Sequence, residues 1–279
     1  MRKWHMIIDV ERCEDCNSCF LACKDEHCNN TFAGYAEAQP VHGHRWINIF
    51  RKERGGGSLT DVFYLPMPCM HCEDAPCEKK AIANAVTRRA DGIVLIDGER
   101  AKGQKDLVAA CPYGAIWWNE ELNIPQKCTF CAHLIDDKWK EPRCVQACPT
   151  GALQAICVED DELSGIIERE NLQAYRPNLK TRPSTYYKNL DFFTKAFVAG
   201  SVAKQANGIS DCVEGAYVTL TKDSQKIGEL ITDNYGDFKF DGLEERSGRY
   251  VVVIKADGFE EKSIEVDLSE SLYLGDIYM

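Results

Sequence analysis

The sequence predicts an α+β chain in two parts: a cysteine-bearing region built twice from one small unit, then an all-β sandwich. Three observations carry that expectation. Spaced runs of cysteine punctuate residues 13–148. Two Cys-Pro stretches, Cys111-Pro-Tyr-Gly-Ala-Ile and Cys148-Pro-Thr-Gly-Ala-Leu, echo each other and point to internal duplication. After about residue 205 the character changes to short apolar strands separated by glycine turns.

The first run, Cys13-x2-Cys16-x2-Cys19-x3-Cys23, has the spacing that holds cubane iron–sulfur clusters. Three thiolates of such a run cap three irons of one cluster, while the fourth points away and ligates another. One run is therefore incomplete alone. Further groups stand at Cys69-x2-Cys72-x4-Cys77, at a lone Cys111-Pro112, and at Cys128-x2-Cys131-x12-Cys144-x3-Cys148-Pro149. Together the four groups supply twelve thiolates, enough for three [4Fe–4S] clusters in a duplicated ferredoxin-like domain.

The 279 residues carry 15 cysteines and a formal net charge of −11. Disulfides are one rival explanation for so many cysteines. An odd count, the C-x2-C spacings and a start too polar for a secretory segment oppose it. Zinc is the other rival, but zinc does not call for the third cysteine of C-x2-C-x2-C. The acidic balance argues against nucleic acid, and no apolar run reaches the about 18 residues of a membrane span. A reducing, cytoplasmic compartment is expected.

Taken in order, residues 6–12 read as a strand feeding the first cysteine loop, and residues 20–26 as the helix after it. Residues 29–57 are loop-rich, ending in the alternation Ile47-Asn-Ile49-Phe50. A hairpin is expected over 86–97, turning at Asp91-Gly92. A helix over 101–110 delivers Cys111, and an acidic amphipathic helix covers 160–174. Residues 175–204, with Pro177 and Pro183, read as an extended tail that wraps a neighbour. The cluster-bearing domain is thus expected over 1–204, with its tail from about 160. An immunoglobulin-like or Cna-B-like sandwich follows over 205–279, with one cysteine, Cys212, and no chemical motif.

This layout resembles the iron–sulfur subunits of the molybdopterin oxidoreductase (dimethyl sulfoxide reductase) family over about residues 1–200. Those subunits carry four runs of four cysteines, the first exchanging with the fourth and the second with the third. The resemblance implies one cluster on Cys13, Cys16, Cys19 and Cys148, a second on Cys128, Cys131, Cys144 and Cys23, and a third on Cys69, Cys72, Cys77 and Cys111. It also implies that Ala81, Ala101, Gln104 and Leu107 stand where a fourth cluster would be held, so that one whole cluster has been deleted.

Four stretches are most like the small subunits of phenol-transhydroxylating members: His44-Arg-Trp-Ile-Asn48, Cys111-Pro-Tyr-Gly114, Trp118-Asn-Glu-Glu121 and the segment Gln126 to Leu134. That likeness implies a non-catalytic electron-transfer subunit. Its large catalytic partner would carry molybdenum with bis-pterin guanine dinucleotide and act on phenols.

Other residues carry weaker signals. Cys28, Cys157 and Cys212 are expected to be buried small hydrophobes. His71 is either a donor to a cluster sulfur or a packing residue. His42 and His44 read as loop residues, Trp117 and Trp118 as core. Lys127 and Arg143 either offset cluster charge or lie on solvated surface. No Ser–His–Asp set, phosphate loop or acid pair stands out. A free-standing polyferredoxin is the alternative to a subunit, but the tail and the sandwich favour the subunit.

Overall fold

The computed structural model describes residues 1–206 and 208–279, which divide into two compact units. The first comprises residues 1–51 and 64–190; the second, 52–63 and 191–279.

The first unit is organised by a three-stranded sheet with Lys3–Asp9 at its centre. Leu153–Val158 pairs antiparallel on one side, from Lys3 opposite Val158 to Ile8 opposite Leu153. Thr185–Lys188 pairs parallel on the other, Met6 opposite Thr185. Met6, Ile7 and Ile8 are buried in succession rather than alternately, as a strand covered on both faces requires. The helix Ser18–His27 follows the first cysteine loop and packs against the short helix Arg143–Gln146. The expected hairpin is present as Val86–Arg88 against Val94–Ile96, closed by the Gly92 N–H donating to the Arg89 carbonyl. A second hairpin pairs Trp117–Asn119 with Ile124–Gln126.

Three expectations change. The helix expected over 101–110 forms only over Asp106–Ala110, because Gly103 takes a left-handed φ of 77°. The acidic helix is Asp160–Glu170, with three carboxylates facing its N-terminal dipole and left-handed Asn171 closing it. Residues 175–204 are not a plain tail: Thr185–Lys188 joins the first sheet, and Ala196–Ala206 is a central strand of the second unit. The second unit therefore begins near Asp191, earlier than the change of composition suggests.

That unit is a β-sandwich. One sheet is built on Ala196–Ala206, which pairs antiparallel with Ile209–Cys212 and Asp237–Leu243 and parallel with Leu272–Tyr278. The other runs Gln225–Ile231, Tyr217–Lys222, Gly248–Lys255, Lys262–Leu268, all antiparallel. Alternate residues Tyr250, Val252 and Ile254 face a core shared with Val198, Val218, Leu220 and Leu268. Residues 52–63 bring Arg54, fully buried, to Asp61 and Asp241 within the same unit. Among the described residues no helix is long and apolar enough to cross a membrane.

Candidate iron–sulfur centres

The first Cys-x-x-Cys turn of each run places its third residue in the left-handed region: Asp15 at φ 52°, His71 at 42° and Phe130 at 56°. None is glycine, and a non-glycine residue held there costs about 1–2 kcal/mol. The turn aims the N–H of that residue at the first cysteine. The His71 N–H donates to Cys69 Sγ at 3.4 Å, the Phe130 N–H to Cys128 Sγ at 3.3 Å, and the Asp15 N–H to the Cys13 sulfur. Ala115 N–H serves Cys111 Sγ in the same way at 3.4 Å. Three unrelated dipeptides thus build one sulfur-binding loop.

All fifteen cysteines are reduced. Twelve of them fall into neighbouring sets, seen in which thiols act on which and, for Cys128, in a shared cavity. Burial pushes Cys13 up to about 11 and Cys19 up to about 12, with Cys148 and Cys16 adding to both. Burial alone would also raise Cys148, but N–H groups of Leu153, Ala152 and Thr150 and the Thr150 hydroxyl hold it below the usual thiol value. Cys23 and Cys144 are pushed far up, by burial first and then by Cys128 and Cys131. Those four thiols line one small cavity together with Met6, His27, Trp46 and Phe130. Cys72 is raised to about 12 by burial, Cys69, Cys111 and Cys77. Thiols buried so deeply hold their protons, and a coordinated metal deprotonates such thiols outright. This donor chemistry fits iron–sulfur ligation.

Cys19 and Cys23 lie one turn apart on Ser18–His27, yet Cys19 joins the first group and Cys23 the second. Cys144 and Cys148 repeat this in reverse. The groups stand in a row: Cys19 is felt by Cys23 and Cys144, while Cys69 acts on Cys128. The middle group thus feels charge from both others.

Around these thiols lie residues that sequence reading left open or missed. Lys127 is buried, not on solvated surface; its Nζ donates to the Val94 and Cys128 carbonyls. His71 is equally buried, its Nδ1 accepting the Val94 N–H at 3.0 Å and its Nε2 without a protein partner. Arg143 pairs with Asp25 and Glu26 and is felt at Cys131. His44 is buried, its Nε2 2.9 Å from the Trp118 carbonyl oxygen. His27 was missed: its Nε2 lies 3.9 Å from Cys131 Sγ, and burial lowers its pKa to about 3. The available signal was its place four residues after Cys23 on one helix face. Of the three remaining cysteines, Cys28 and Cys157 are half-buried and Cys212 is exposed on the strand Ile209–Cys212, so none is the buried hydrophobe expected.

The four positions lacking cysteine also meet. Ala101 and Leu107 are buried, and Gln104 bonds to the main chain of Ile82, next to Ala81. A larger cleft of about 390 Å³, lined by Lys3, Arg88, Arg89 and Arg182 among others, contains no thiol. Lys3, Arg88, Arg89 and Arg182 are paired there with the carboxylates of Asp160, Glu78, Asp136 and Asp74.

A sandwich that bears no ligand set and a unit with three thiol groups define an iron–sulfur protein of the polyferredoxin type. Residues 60–157 match the 4Fe-4S dicluster domain family, and residues 198–276 the carboxypeptidase regulatory-like domain family. The chain is 45% identical to the pyrogallol hydroxytransferase small subunit of Pelobacter acidigallici, over 99% of this chain and 98% of that one. It is 31% identical to a tetrathionate reductase subunit of Salmonella typhimurium, over 68% and 73% of the two sequences. With an Hdr-like menaquinol oxidoreductase iron–sulfur subunit of Archaeoglobus fulgidus the identity is 31%, over 68% and 84%. The chain thus belongs to the family of iron–sulfur subunits of the molybdopterin oxidoreductases.

Proposed function

We propose that this chain is the electron-transfer subunit of a heteromeric molybdopterin enzyme acting on phenols, with hydroxyl transfer between pyrogallol and phloroglucinol as its reaction. Identity of 45% along the whole length to a pyrogallol hydroxytransferase small subunit carries this reading. Twelve thiols falling into groups of four support three [4Fe–4S] clusters. These are Cys13, Cys16, Cys19 and Cys148; then Cys23, Cys128, Cys131 and Cys144; then Cys69, Cys72, Cys77 and Cys111. Clusters so held would pass or store single electrons for a molybdenum centre with bis-pterin guanine dinucleotide in a large partner subunit.

The chain's own residues do the holding. Left-handed turns aim N–H groups at sulfur, burial keeps water out, and Gln104 with Leu107 closes the position of a fourth cluster. The sandwich carries no ligand set in this reading, so the iron–sulfur region is residues 1–51 and 64–190. In this reading substrate chemistry belongs to the partner. The test is purification of the native complex without oxygen. Molybdenum in the complex, pyrogallol-dependent hydroxyl transfer by it, and none by the isolated chain are the expected results. A molybdenum-free chain that runs alone on size exclusion would replace this reading with a free electron shuttle.

A further inference from the structure

Lys127 is an anomaly of charge. It is 3% exposed, and among the described residues no carboxylate pairs with it. Its ammonium group donates to two carbonyls, Val94 and, at 3.0 Å, Cys128. Carbonyl dipoles satisfy its protons, but they do not cancel a full charge taken out of water. Buried lysines are rarely found unpaired. The groups that feel this one are Cys128 of the middle set and Cys77 and Cys111 of the third. The other cation near by, Arg88, is already paired with Glu78. Val94 holds the arrangement rigid, giving its carbonyl to Lys127 and its N–H to His71.

Resting on the functional reading above, we propose that Lys127 is the fixed counter-charge shared by the second and third clusters and sets their potentials above that of an unassisted site. It is a positioning residue: it exchanges no electron and acts through its field. A positive charge in a dry site favours the more negative, reduced form of each neighbour. Lys127 is not among the leading influences on Cys13, Cys19 or Cys148 of the first set.

Lys127→Met in the whole complex tests this by iron analysis and redox titration followed by electron paramagnetic resonance. With iron unchanged, reduction of the second and third clusters becomes roughly tenfold or more less favourable, about 59 mV for a one-electron couple. The first cluster keeps its potential, and Lys127→Arg restores the other two. Should the methionine variant fail to load, Lys127→Gln, which keeps a donor but no charge, takes its place with the same outcomes. Unchanged potentials at full iron, or an equal fall at all three clusters, overturn the proposal. A wild-type complex without three clusters would instead defeat the functional reading itself.

Discussion

The side-chain amide of Gln104 clasps the main chain of Ile82 from both sides. Its Oε1 accepts the Ile82 N–H at 3.1 Å and its Nε2 donates to the Ile82 carbonyl at 3.3 Å, while also reaching Arg100. A thiolate at either end would find this space already bonded. Wild-type protein prepared without oxygen should therefore carry about 12 irons, four per cubane. Gln104→Ala should cost about 1–3 kcal/mol of stability for three hydrogen bonds at a half-buried site, with iron content unmoved. Four full clusters in the wild type would contradict both statements.

The crossed helices make a second forecast. Cys23→Ala should damage the cluster of Cys128, Cys131 and Cys144, and Cys148→Ala that of Cys13, Cys16 and Cys19. Spectra of the two variants should lose different signals. Damage confined to the run nearest in sequence would mean the exchange is wrong.

Acid should weaken the first unit early. Burial lowers the pKa of His5 and of His44 below the usual 6.5. Once unfolded, the protein takes up protons that its folded form refuses, so stability is full above about pH 6.5 and falls as pH drops below it. His5→Phe should flatten that fall in denaturant midpoints measured from pH 7 to 5. An unchanged slope would remove His5 from the account.

In the sandwich, Arg54 is fully buried, bonds Asp241 with both terminal nitrogens at 3.0 and 2.8 Å, and lies over Phe197 and Phe63. Arg54→Met should destabilise that unit by about 2–4 kcal/mol, since Asp241 loses its two-pronged partner and keeps only Lys239 at 3.4 Å. Burial alone would raise the Asp241 carboxyl, yet Arg54 and the Gly242 N–H hold it below its usual value. Its contribution is present above about pH 4 and is lost as pH falls through the lowered value. The methionine variant should show a smaller acid loss, since Gly242 and Lys239 still act on Asp241; calorimetry at pH 3 and pH 6 separates the cases.

The cysteine spacing and the hairpin at Asp91-Gly92 were legible because both are local rules, set within a dozen residues. Lys127 could not be placed, since a sequence does not show that Val94, 33 residues away, will bury it. His27 escaped for the same reason, its sulfur lying 104 residues on. The strand Ala196–Ala206 looked like a linker because Gly200 interrupts its apolar alternation. That glycine is needed for close packing: a Cβ there would meet the Phe238 ring at 3.0 Å and Ile277 at 3.1 Å.

The central place of Lys3–Asp9 has a consequence for how the molecule is made. Its two neighbours, Leu153–Val158 and Thr185–Lys188, are synthesised long after it. At about 5–20 residues per second that delay is roughly 10–40 s. The thiols from Cys69 to Cys111 can be gathered as soon as that stretch emerges. Those of Cys13 to Cys23 wait for Cys128 to Cys148, and their strand waits longer still. With the proposed pairing, the segment born first is among the last to be shielded from oxygen.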